Sequence, residues 1–95
     1  MERHEMKARY EAQIAEWKAN LDVMKAKAEA SSGQAKVGYQ EAVADLQKQL
    51  DDFKIQAASK WDVADEKWDS TRKDLELGWQ EWELRAKRAW NDLSK

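Results

Sequence analysis

Few side chains in this sequence could do chemistry, and those that could are poorly spaced for it. The only histidine, His4, has Glu2 and Glu5 beside it. An imidazole and two carboxylates can hold a divalent metal, but helix residues share a face at spacings of three or four, not one or two. No metal site is therefore assigned to them. Carboxylates stand adjacent at Asp51-Asp52 and at Asp65-Glu66. Neighbours on a helix point about 100° apart, so neither pair forms an acid–base dyad. Gly33 and Gly38 lack the following lysine and serine of a phosphate-binding loop. Cysteine is absent, which removes disulfides, thiolate metal sites and thiol nucleophiles. No catalytic, metal or cofactor-binding residue is assigned, no cofactor is expected, and the chain is read as a non-enzyme.

The greatest binding capacity lies in tryptophan. Five of the 6 tryptophans, Trp61, Trp68, Trp79, Trp82 and Trp90, follow residue 60 and fall on or beside one helical face. Indoles can stack on bases, but 17 basic against 19 acidic residues leave no basic track for phosphates, so nucleic acid is not an expected partner. Indoles also suit a membrane interface, and residues 60–94 form an amphipathic stretch with Arg85, Lys87 and Arg88 near its end. Acidic residues from Asp62 to Glu83 are mixed into the same stretch and oppose an anionic surface. Reversible lipid binding through 60–94 is the alternative reading. The favoured one is helix packing, with Trp61, Trp68, Leu75, Trp79, Trp82, Trp90 and Leu93 as the interaction residues.

Helices must position these rings. Proline is absent, glycine occurs only 3 times and 38% of residues are charged, a composition suited to coiled coil. Tyr10, Ile14, Trp17, Leu21, Met24 and Ala28 follow one another in alternating steps of four and three, a heptad seam. Tyr39, Val43, Leu46, Leu50, Phe53 and Ala57 repeat those steps. Ser31-Ser32-Gly33 between the seams weakens the helix and suits a turn. An antiparallel hairpin then sets Tyr10 opposite Ala57, Trp17 opposite Leu50 and Ala28 opposite Tyr39. Beyond Ala57 the spacing becomes 11, in the rows Ala57, Trp68, Trp79, Trp90 and Phe53, Ala64, Leu75, Ala86, with Trp82 and Leu93 as a third.

The predicted fold is all-α and one domain over 1–95: helix 1 over 2–30, a turn near 31–35, and one long helix over 34–94. That second helix would run about 90 Å at ~1.5 Å per residue. The alternative is a three-helix bundle broken near Ser59, with Ser59-Lys60-Trp61-Asp62 as a capping box. In the long-helix form helix 1 cannot reach the late tryptophans. Another chain must then cover them, a homo-oligomer with a symmetric dimer favoured. An unknown protein groove is the further option. Pairs four apart such as Glu81 with Arg85 and Glu83 with Lys87 are read as a solvated face. The charged N-terminus has no apolar run after it and no stretch approaches a membrane span, so the cytoplasm is the expected location.

Several of these elements resemble a family. Glu2-Arg3 with Glu5, Gln13-Ile14-Ala15-Glu16-Trp17-Lys18-Ala19, Leu21-Asp22, Ala26-Lys27-Ala28-Glu29, Ala35-Lys36 with Tyr39, and Val43 with Leu46 are similar to the small bacterial coiled-coil stress-response proteins of cyanobacteria and proteobacteria. The segment Lys60 to Ser70 matches their style, and more loosely that of apolipoprotein-type and desiccation-protein 11-mers. The resemblance implies a cytoplasmic helical protein with a role under stress and carries over no functional residues. Members often place Ser-Gly before the first tryptophan of the C-terminal half, where this chain has Ser59-Lys60, which favours an unbroken helix.

Overall fold

Helix α1 spans Arg3–Ala30, α2 Gly33–Lys60 and α3 Asp65–Leu93 in the computed structural model, which describes residues 3–93. Glu2, named above beside His4 and as the start of helix 1, and position 94, the expected helix end, lie outside the described residues. Every element among the described residues is helical. The heptad steps explain why. Tyr10, Ile14, Leu21, Met24 and Ala28 of α1 are buried, as are Val43, Leu46, Leu50 and Ala57 of α2. Met6, four residues before Tyr10, extends the first seam by one turn and is buried with it.

The α1–α2 link is Ser31–Ser32. The Ser31 hydroxyl donates to the Lys27 carbonyl at 3.1 Å and its N–H to the Ala28 carbonyl at 3.2 Å. These bonds serve carbonyls that the end of α1 leaves without helix partners. Gly33 then turns the chain at φ 69, a left-handed conformation that costs glycine little. The helices return antiparallel: Lys18 meets Asp51 at 3.7 Å, and the Tyr10 ring lies 6.2 Å from that of Phe53.

The long helix over 34–94 does not occur. α2 ends at Lys60, Trp61–Ala64 turn the chain, and α3 packs back against both other helices. The molecule is 52 Å in its longest dimension, against the ~90 Å that a straight helix would span. The break falls just beyond Ser59, whose hydroxyl donates to the Gln56 carbonyl at 3.0 Å within α2 instead of starting a third helix. Burial explains the fold-back. Trp61, Trp79 and Trp82 keep 7%, 5% and 4% of their surface. Burying each contributes about 2–3 kcal/mol, against roughly 1 kcal/mol for each of the few helix hydrogen bonds that a break gives up.

Arg3 repairs part of that loss. Its Nη1 donates to the carbonyls of Trp61 at 3.2 Å and Val63 at 2.9 Å, and its Nη2 to Asp65 Oδ1 at 3.0 Å. The guanidinium also sits 4.6 Å above the Trp68 ring. One planar fork thus joins the start of α1 to the turn and to the first residues of α3.

Candidate functional site

The inward face of α3 carries Leu75, Trp79, Trp82 and Ala86, all buried, with Trp68, Trp90 and Leu93 partly buried against the same core. Trp79 is the hub. Its ring lies 5.8 Å from Tyr10 edge to face, 5.4 Å from Phe53 and 5.3 Å from Trp82, so it touches α1, α2 and its own helix. Trp82 meets Trp17 edge to face at 5.3 Å. At the turn, Trp61 lies 5.9 Å from Tyr10 and 5.8 Å from Trp68. Trp68, Trp61, Tyr10, Trp79, Trp82 and Trp17 thus form one unbroken file of rings.

The two buried indole N–H groups of α3, those of Trp79 and Trp82, are satisfied, as a polar atom away from water must be. Trp82 Nε1 donates to the Leu46 carbonyl at 3.0 Å, which ties α3 to the backbone of α2. Trp79 Nε1 donates to Glu83 Oε2 at 3.1 Å, and Lys87 holds the other carboxylate oxygen at 3.2 Å. Lys27 places its ammonium 5.0 Å from the Trp90 ring. Burial raises the pKa of the Tyr10 phenol above its ordinary 10.0, Glu76 adds to the rise, Arg9 opposes it and Glu83 adds a little more.

Beside the file, α1 and α3 leave an open groove of about 360 Å³. Arg9 and Arg72 stand on its rim with Glu76 and Glu83, over a floor that includes Met6, Tyr10 and Trp79. Both signs of charge occur there, so the groove selects neither anions nor cations. The described residues contain no group of three or more histidine, cysteine, aspartate and glutamate placed to hold a metal. Asp51 is taken up by Lys18, Asp65 by Arg3, and His4 is exposed. No helix among the described residues is long and apolar enough to cross a membrane.

All seven interaction residues named from the sequence reach the core or its edge, and α1 meets five of them, Trp61 and Trp79 through Tyr10, Trp68 through Arg3, Trp82 through Trp17 and Trp90 through Lys27. The ground for requiring a second chain to cover them is thereby removed: the cover is α1 and α2 of the same chain. Two contributors escaped the sequence. Arg3 acts on residues 58 to 62 positions away, and no local pattern marks it. Trp17 was placed in the first seam alone, yet it belongs to the same file as the late tryptophans. No protein-family model matches the chain, and neither a curated protein nor a solved structure matches it. The resemblance to the coiled-coil stress-response proteins rests on the quoted sequence elements alone.

Proposed function

We propose that this chain is a non-enzymatic helical interaction protein that works through helix–helix recognition, with α3 as the recognising element and its own copies as partners. One observation carries this. The large rings of α3 and the surface offered by α1 and α2 are complementary in shape and in hydrogen bonding. Trp79 fits between Tyr10 and Phe53, Trp82 packs against Trp17, and the Trp82 N–H meets the Leu46 carbonyl. Edge-to-face rings and a directed N–H bond make such a contact specific as well as apolar.

The competing lipid reading asks the same tryptophans to enter a bilayer. In the folded chain Trp61, Trp79 and Trp82 are at most 7% exposed, so lipid would have to displace α3 from its own core first. Light scattering over a dilution series, run beside co-sedimentation with anionic phosphatidylserine-containing vesicles, tests the proposal. Concentration-dependent association without vesicle binding is expected. Co-sedimentation of most of the protein with vesicles would replace helix recognition by lipid binding.

A further inference from the structure

The α2–α3 connection is Trp61-Asp62-Val63-Ala64, without glycine or proline. Among the described residues only Gly33 has a positive φ, so nothing in this connection requires a special backbone. Trp61 itself is helical at φ −70, ψ −19. All four residue types are compatible with a helix, though aspartate and valine favour it less than alanine. The 11-residue rows cross the connection unbroken: Phe53, Ala64, Leu75 in one and Ala57, Trp68, Trp79 in the other. A straightened chain would therefore keep its apolar face in phase.

What opposes straightening is the far end of the chain. In a continuous helix the Trp61 carbonyl would accept from the N–H of Asp65, and that of Val63 from the N–H of Lys67. In the folded chain Arg3 supplies the bonds to both carbonyls, while the Lys67 N–H goes to Ala64 at 2.9 Å. Arg3 thus stands in for hydrogen bonds that the straight form makes by itself. The surface of α1 and α2 that receives α3 has no means of telling its own α3 from that of an identical chain.

Resting on the reading of α3 as the recognising element, we propose that α3 exchanges between two copies. Residues 61–64 join α2 and α3 into one helix, and each α3 docks on the α1–α2 pair of the other chain. The result is a closed two-fold dimer that repeats across chains the contacts of Trp79 with Tyr10 and Trp82 with Trp17. Arg3 biases the choice, because its bonds to the Trp61 and Val63 carbonyls exist only in the bent form.

The test is refolding of the full chain from denaturant over a range of concentrations, followed by size exclusion with light scattering. The wild type is expected to give, at high concentration, a species of twice 11.1 kDa that persists after dilution. Arg3→Ala, and separately the pair Asp62→Ala and Val63→Ala, are expected to raise its fraction several-fold. A Gly-Ser-Gly insertion after Asp62, which lets the chain bend without strain and denies it a straight helix, is expected to leave monomer only. The insertion variant folds to the bent form, so a monomer with wild-type helicity separates loss of exchange from failure to fold. No dimer in any variant, or a dimer that the insertion leaves unchanged, overturns exchange. Each fraction is also sedimented with the anionic vesicles. A dimer that the insertion leaves unchanged, without vesicle binding, removes exchange alone and keeps recognition between copies, whereas no dimer in any variant, or vesicle binding by the wild type, removes the recognition reading as well.

Discussion

The link between α1 and α2 ends a helix with its own atoms, while the link between α2 and α3 ends one with atoms from the far end of the chain. At the first, Ser31 turns its hydroxyl back to Lys27 and Gly33 takes a left-handed φ of 69. Everything needed lies within a few residues. At the second, Trp61-Asp62-Val63-Ala64 contains neither glycine nor proline and no left-handed residue, and Arg3 reaches across to serve Trp61 and Val63. This second bend exists because α3 gains a core by folding back. A helix break can thus be specified locally or imposed by packing, and the two respond differently to substitution.

The largest effect is expected where packing imposes the bend. Trp79→Ala removes the ring that joins Tyr10, Phe53 and Trp82, and a loss of about 3–5 kcal/mol is expected from urea unfolding. A loss below about 1 kcal/mol would mean that α3 is not held by this hub. Arg3→Ala comes next, at roughly 1–2 kcal/mol, since hydrogen bonds from a charged group to part-buried carbonyls carry most of its worth. Its pairing with Asp65 adds little, because that carboxylate is fully exposed. Arg3→Lys should recover only a small part, for an ammonium cannot span two carbonyls and a carboxylate with one rigid fork.

Smaller changes of opposite sign are expected at two glycines, one at the locally written link and one inside α2. Gly33→Ala is expected to cost about 1 kcal/mol, because alanine resists the left-handed φ even though the space around it is open. Gly38→Ala, inside α2 with nothing within 4 Å of the added carbon, should stabilise by about 0.5–1 kcal/mol. Thermal melts read both, at about 4–8 °C per kcal/mol for a domain of this size. If both raised the melting temperature, the turn at Gly33 would not depend on its φ.

The smallest effect is alkaline. The folded pKa of Tyr10 lies above its unfolded value, chiefly through burial. Its contribution to stability is therefore complete below pH 10.0 and is lost as pH rises from there through the folded value. Tyr10→Phe should flatten the stability profile in that window, and absorbance titration should show a late-ionising phenolate in the wild type that the variant lacks.

The same contrast marks what could be read from the sequence. The alternating steps of four and three name most of the buried face of α1 and α2. They miss Met6 and include Trp17 and Phe53, which are partly buried, and Tyr39, which lies outside the core. The serine–glycine stretch carries the first turn in its own chemistry. The 11-residue rows identify the inward face of α3, including Leu75, Trp79 and Ala86. They are silent on the second bend, because a row records which face is apolar and not whether that face meets its own chain. The Ser59-Lys60 step before Trp61, without glycine, suits an unbroken helix, and the burial of three indoles outweighs it. Arg3 was invisible for a related reason: its partners are set by the fold and not by spacing.

The file of rings from Trp68 through Trp61, Tyr10, Trp79 and Trp82 to Trp17 has steps of 5.3 to 5.9 Å between centroids. Chromophores so close do not emit independently. Light absorbed by one indole migrates to its neighbours, so the emitted signal belongs to the array and loses its polarisation faster than the molecule tumbles. Replacing a single tryptophan should then change brightness out of proportion to the one ring removed. Detaching α3 cuts the array between Trp61 and Trp68, between Tyr10 and Trp79 and between Trp17 and Trp82, leaving Trp61 with Tyr10 and Trp79 with Trp82. Emission anisotropy would report whether the third helix is docked, whichever copy of the chain supplies it.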